Sequence, residues 1–200
     1  MSTQLAKIRG IVIIQEDDGR VHWQSGGAVD ADGANGQNGN KFAYRSDNKG
    51  LDDYANAGWP HGGWRNVLID HGDGHPTSDG NGNWYSSTSY TWRGRPLATR
   101  YVDATTVPYA VVNPIVRHNA TGVVIGCKAR LTYKGVTIDA VVADVSGSGD
   151  IGELSIAAAV ALGFKDSSPR TGGVSSGVTF EFWPDQPATI NGETYDLQPA

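Results

Sequence analysis

The sequence predicts a mainly β domain with long loops and one or two short helices. Short runs rich in β-branched and aromatic residues recur along the second half of the chain, each bounded by Gly, Pro, Asn or Asp. Glycine accounts for 27 of 200 residues and proline for nine, enough to punctuate the chain into short elements. Only one segment combines a helix start, an apolar body and a stop. Six Trp and eight Tyr supply large core side chains, which argues against a disordered chain.

Taken in order, Ile8 to Ile14 reads as a first strand. Residues 26–58 read as an extended Gly- and Asn-rich loop, a length that is usually functional when the loop is ordered. The aromatic residues Phe42, Tyr44, Tyr54 and Trp59 favour order there, and a weak helix at 49–56 is compatible with LDDYANAG. A strand near 65–69 leads into a polar loop, DHGDGHPTSDGNGN at 70–83. Further short strands are expected at 84–91, 98–102, 108–112, 123–127, 129–133, 136–144 and 178–183. The convincing helix starts at Ser155, which can cap Ile156–Leu162, and Gly163 supplies the stop. No repeat, heptad pattern or linker divides the chain.

Charge and cysteine usage narrow the functional classes. Lys and Arg number 16 against 21 Asp and Glu, for a net charge of −5. No basic cluster is visible, so nucleic acid is not an expected partner. No apolar run approaches the ~20 residues of a membrane span, and a membrane is not an expected partner either. Cys127 stands alone, so no disulfide framework is available, and a buried inert thiol is its expected state. The acids are 17 Asp and only four Glu, and most Asp lie among Gly and Asn, where they can stabilise turns. Some could instead line a cleft for a cationic ligand.

The densest information lies at 138–163, IDAVVADVSGSGDIGELSIAAAVALG. A β run ends at Asp144, an acidic Gly/Ser turn follows, and Glu153 stands just before the capped Ala-rich helix. This order resembles the signature of the double-psi β-barrel, shared by expansins, family 45 endoglucanases and a class of lytic transglycosylases. The resemblance implies a double-psi β-barrel-like core, with the acid of the "[D/E]-L" position giving a proton to the leaving sugar. The segments AVDADGANG (28–36), KGLDDYANAG (49–58), WYSSTSY (84–90), RYVDATTVPYAVV (100–112) and ADVSGSGDIGELSIAAAVALG (143–163) occur in the order of glycoside hydrolase family 75. The chain is similar to that family, which contains endo-chitosanases, over about residues 26–183. The unusual His/Asp composition of the 70–83 loop departs from its pattern.

The resemblance implies one catalytic domain, 1–200, that hydrolyses β-1,4 linkages of glucosamine polymers with inversion and without a cofactor. It carries the catalytic pair onto Glu153 and Asp144. Glu153, between Gly152 and Leu154, suits the general acid, because apolar surroundings and a neighbouring carboxylate keep a carboxyl protonated. The adjacent helix N-terminus acts in the opposite sense. Asp144 is either the general base or a supporting carboxylate, and an inverting pair must stand about 6.5–9.5 Å apart to admit water. Its alternative is a turn cap before Ser146 and Gly147. Asp30 and Asp32, two apart on an extended segment, share a face and could bind a substrate ammonium, or they could form a calcium-like or self-bonded turn.

Asp103 is either a cleft acid for sugar amines or a partner of Arg100. Tyr101, Tyr109, Trp84, Tyr85 and Trp59 are candidate stacking platforms for sugar faces, or core residues. Thr88 and Ser89 could bond sugar hydroxyls or be ordinary strand residues. His71, Asp73 and His75 alternate in a way that could hold zinc, but no fourth ligand is evident and no metal is expected. A monomer acting on external chitosan or a related aminosugar polysaccharide is expected. The first residues carry no recognisable secretory cleavage site. The rival classes are a peptidoglycan-acting lytic transglycosylase or lysin, and a non-catalytic carbohydrate-binding module.

Overall fold

The computed structural model describes residues 2–34, 44 and 45, 59–77 and 83–199. The expected helix at 49–56, the motif at 49–58, and the side chains of Phe42, Tyr44 and Tyr54 lie outside the described residues. The strands are β1 (Thr3–Ile8), β2 (Ile11–Gln15), β3 (Val21–Asp30), β4 (Tyr44–Arg45), β5 (Asn83–Trp84) and β6 (Tyr109–Val112). Helix α1 (Pro114–Asn119) separates β6 from β7 (Cys127–Tyr133), β8 (Val136–Val145) and β9 (Glu153–Ser155). Helix α2 (Ile156–Ala161), β10 (Val174–Ile190) and β11 (Glu193–Tyr195) complete the order.

Six strands close into a barrel in the order β3–β9–β6–β8–β7–β10, with β10 pairing back onto β3. The β3–β9 and β6–β8 contacts are parallel, and the other four are antiparallel. The expected mainly β, barrel-like core with two short helices is therefore present. The β1–β2 hairpin extends the sheet beyond β3, and β11 pairs with the far end of β10. Closure leaves none of the six strands with an unpaired edge along its full length.

Alternation in β3 explains how the barrel fills. Val21, Trp23, Ser25, Gly27 and Val29 are buried, while the residues between them are not. The Trp23 ring lies parallel to Phe180 at 5.1 Å and meets Phe182 edge-on at 4.9 Å. Leu131 pairs with Phe180 in the β7–β10 ladder, and Val29 and Ala110 both pair with Leu154. These residues form one continuous apolar interior.

Several sequence expectations shift in register. The expected 8–14 strand is a hairpin, broken at Arg9 and Gly10, whose φ values of 46° and 85° form a tight turn. β3 runs through Gly26 and Gly27 into what reads as loop. The expected strands at 65–69 and 98–102 are short 3-10 turns, Trp64–Asn66 and Leu97–Thr99, flanked by isolated bridges. Of 84–91, the described strand keeps only its first residue, together with bridges at Ser86 and Thr91. The expected 129–133 strand lies within β7, whereas of 123–127 only Cys127 joins it, with an isolated bridge at Ile125. Helix α2 has the expected cap, with Ser155 Oγ accepting from Ala158 N at 3.1 Å. Helix α1 is additional, capped by Asn113 with Pro114 at its first position.

Candidate active site

Three strands of the barrel wall, β3, β9 and β8, carry acidic groups on its outer face, with β6 lying between β9 and β8. Ladder partners point to the same side of a sheet, so the buried pair Val29–Leu154 sets its neighbours outward. Glu153 then lies opposite Ala28 on the outer face, with Asp30 one step farther along β3. On β8, Val142 pairs with Ala110, but the next pair is Val111 with Asp144. The extra residue is Ala143. This bulge turns Asp144 to the outer face, where strict alternation would send it into the barrel.

Asp30, Asp32 and Asp144 come together, and one oxygen from each lies within 4.8 Å of the others. Asp30 Oδ1 accepts from Asp32 N at 3.0 Å, which folds the chain sharply after β3. That fold is fixed by Gly33, which has φ of 80° and lies so close to Val102 that a Cβ would overlap the Val102 carbonyl. Asp144 is 7 % exposed. Its Oδ1 accepts from Ser89 N at 2.9 Å, Ser89 Oγ at 2.5 Å and Val145 N at 2.8 Å. Asp30 and Asp32 keep a partial opening to solvent.

Carboxyls this close disfavour one another's ionisation. Burial first, then the charge of Asp144, pushes Asp30 up from 3.8 to about 8, with Glu153 adding to the push. Hydrogen bonds from Asp32 N and the Tyr109 hydroxyl offset only part of this. Asp144 is raised by burial, against the pull of its bonds to Ser89, Val145 and Asp32. Asp30 therefore retains its proton near neutrality beside the Asp144 carboxyl. A cation bridging the three oxygens would neutralise them equally well, and among the described residues this is the group spaced to hold one.

Glu153 is half-buried, and its carboxyl makes no hydrogen bond among the described residues. Burial raises its carboxyl above 4.5, and the charges of Asp150 and Asp144 raise it further. The turn joining Asp144 to Glu153 is held by Asn113, whose Nδ2 donates to the carbonyls of Gly147 (3.2 Å), Ser148 (3.1 Å) and Asp150 (2.6 Å). Ser146 Oγ adds a bond to the Asp150 carbonyl at 3.0 Å. Asp150 itself pairs with Arg9 at 3.1 Å.

The remaining candidates divide. Tyr109 is fully buried, and its hydroxyl donates to the Asp32 carbonyl at 3.1 Å. Burial and the three Asp charges hold its phenol well above its usual range, so it stays a neutral donor. Tyr85 is 1 % exposed, packed with Ala34 and Ile69. Neither Tyr109 nor Tyr85 offers a face to a sugar, which corrects their expected stacking role. Thr88 is likewise buried, donating to the Tyr90 carbonyl and accepting from Val102 N, so it braces the 88–102 contact instead of meeting sugar hydroxyls.

Tyr101 and Trp84 are partly exposed, Tyr101 beside the Tyr85 cluster and Trp84 beside Trp64 and Leu68. Asp103 Oδ1 accepts from Thr105 N and Oγ1 at 2.9 and 2.6 Å, which caps the 103–106 turn. Asp73 lies between His71 (3.3 Å) and His75 (3.4 Å) on an exposed loop. Cys127 is buried, its Sγ donating to the Gly122 carbonyl, and burial pushes the thiol up.

Sequence reasoning missed Asn113 and the anchoring role of Ser89. The Asn-Pro pair that starts α1 was a usable signal for Asn113, whereas Ser89 meets Asp144 across 55 residues, with no local pattern to betray it. No helix of the described residues is long and apolar enough to cross a membrane. No protein-family model matches the chain, and no curated protein matches it.

Proposed function

We propose that the protein is an inverting glycoside hydrolase of the endo-chitosanase type, with Glu153 as general acid. One observation carries the reading: a half-buried carboxyl with raised proton affinity, and with no hydrogen bond among the described residues, shares an outer face with a three-carboxyl cluster. Two carboxyl environments that differ in this way are what glycosidic cleavage requires. Glu153 protonates the glycosidic oxygen as the C1–O bond breaks. A water attacks C1 from the opposite side, and its proton passes to the cluster, so the product has the inverted anomeric configuration.

Asp144 is enclosed and triply bonded on one oxygen, so its role in this reading is the supporting carboxylate. Asp30 holds the retained proton, and the proton from water passes to the hydrogen-bonded Asp32–Asp144 pair. The surplus of acid around the site suits the ammonium groups of a glucosamine polymer.

Release of reducing ends from chitosan, chitin, cellulose and peptidoglycan, with NMR of the first anomer formed, tests the proposal. Cleavage of chitosan to α-anomeric products is expected. Anhydro-muropeptides from peptidoglycan, or no cleavage of any polymer, would overturn it.

A further inference from the structure

Two cavities meet along the start of β10. One, about 370 Å³, lies between Gly26, Ala28 and Gly152 on one side and Gly172–Ser175 on the other. The second, about 650 Å³, continues from Gly173, Val174 and Ser175 to Tyr133 and Lys134. Both volumes fall within the ~300–1,000 Å³ range of ligand clefts. Their near end adjoins the candidate acid, since Gly152 precedes Glu153 and Ala28 is its ladder partner.

The β3–β10 register accounts for the polar floor of this groove. Val174 pairs with Gly27 and Val178 with Ser25, so β10 spends two residues more than β3 over that interval. Residues in such a bulge are left out of the ladder, with backbone groups turned to whatever lies above them. Here Ser175, Ser176 and Gly177 are exposed, and Ser175 faces both cavities. At the far end, the Tyr133 ring packs edge-on against Phe164, with the Lys134 ammonium 5.1 Å from its centroid. Among the described residues, the groove lining holds no carboxylate, and Lys134 is its one charged side chain.

We infer that this groove seats the saccharide chain beyond the cleavage point, and that its Tyr133–Lys134 end takes an uncharged, N-acetylated sugar in preference to glucosamine. The inference rests on the glycosidase reading and extends it to chain length and acetylation pattern. A sugar ring offers apolar faces to Tyr133 and hydroxyls to the bulge backbone. A glucosamine ammonium at that end meets a like charge, whereas an acetamido group does not.

The test compares wild type, Ser175→Trp and Lys134→Glu on a chitosan trisaccharide, a chitosan hexasaccharide and hexasaccharides with one defined acetylated unit. Ser175→Trp fills the groove from an exposed position. It is expected to lower kcat/KM for hexasaccharides roughly tenfold, the ratio that ~1.4 kcal/mol of lost contact gives, and to leave the trisaccharide unchanged. Lys134→Glu is expected to shift preference from the acetylated to the fully deacetylated hexasaccharide. Both variants matching wild type in both ratios would overturn the inference while leaving the glycosidase reading intact. Amide NMR of Glu153→Gln with added hexasaccharide separates the reverse case. If wild type cleaves nothing but resonances of 172–177 and 133–134 shift, the glycosidase reading fails and the groove stands; if they do not shift, both fail.

Discussion

Asp144 pairs with Val111, although two residues earlier Val142 pairs with the adjacent Ala110. The bulge absorbs Ala143, so Asp144 keeps to the outer wall and out of the apolar interior. There it meets Asp30 and Asp32. Deleting Ala143 is expected to remove the bulge and leave Asp144 directly after Val142 in regular alternation, still opposite Val111 on the outer face, so the variant is expected to fold. The measurement is the yield of folded protein and its urea midpoint. A deletion variant that fails to fold, as a carboxylate driven into the apolar interior would cause, would contradict the assigned geometry.

Ser89 holds Asp144 from a distant part of the chain with two donors on one oxygen. Ser89→Ala removes the hydroxyl bond and leaves the backbone one. A stability loss of about 1–2 kcal/mol is expected for a bond to a charged group on a partly open site. Ser89→Thr, which keeps the hydroxyl, should recover most of it. Urea unfolding of the two variants checks this, and equal losses in both would argue against the bond.

The legible part of the structure was local. The cap at Ser155, the Ala-rich body and Gly163 define α2 without tertiary help, and the β-branched runs of β6 and β8 announce themselves. β3 was hidden because Gly26-Gly27 has loop composition. Gly27 is there for close packing: a Cβ would stand 2.8 Å from the Phe164 ring. The β1–β2 turn was hidden because Arg9 adopts positive φ without a tell-tale Asn or Asp. At the site, Glu153, Asp144, Asp30 and Asp32 were all nominated from sequence. Their convergence depends on a bulge and on parallel pairing, which no local pattern encodes. Tyr85 and Tyr109 were misjudged because an aromatic residue beside acidic motifs looks the same in sequence whether it covers the core or faces a ligand.

Asp30 sets a pH dependence of stability. Its folded pKa, about 8, exceeds its ordinary 3.8, so between these values the folded chain holds a proton that the unfolded chain releases. The contribution is fully present below about pH 4 and is lost as pH rises through 8. Asp30→Asn removes that dependence and is expected to raise stability at neutral pH. A gain of ~1 kcal/mol would move Tm by about 2–4 °C in a chain of this size. Melting curves from pH 5 to 9 check the sign, and a variant less stable than wild type throughout would contradict the assignment.

Ser155 is fully buried and does three jobs. It caps α2 through Ala158 N, accepts from Tyr109 N at 3.0 Å, and donates to the Val107 carbonyl at 2.8 Å. Ser155→Ala loses the cap, worth about 1 kcal/mol, and leaves a buried Tyr109 N–H unpaired, for about 1–3 kcal/mol more. The expected loss is thus larger than for a surface cap, and chemical denaturation measures it.

The most direct measurement sets turnover against binding in Glu153→Gln. Glutamine keeps the shape and removes the proton donor, so reducing-end release from chitosan should fall by about 10²–10⁴-fold, the usual worth of a general acid. Calorimetric affinity for a chitosan hexasaccharide should stay close to that of wild type. Cleavage at the wild-type rate by this variant would contradict the account.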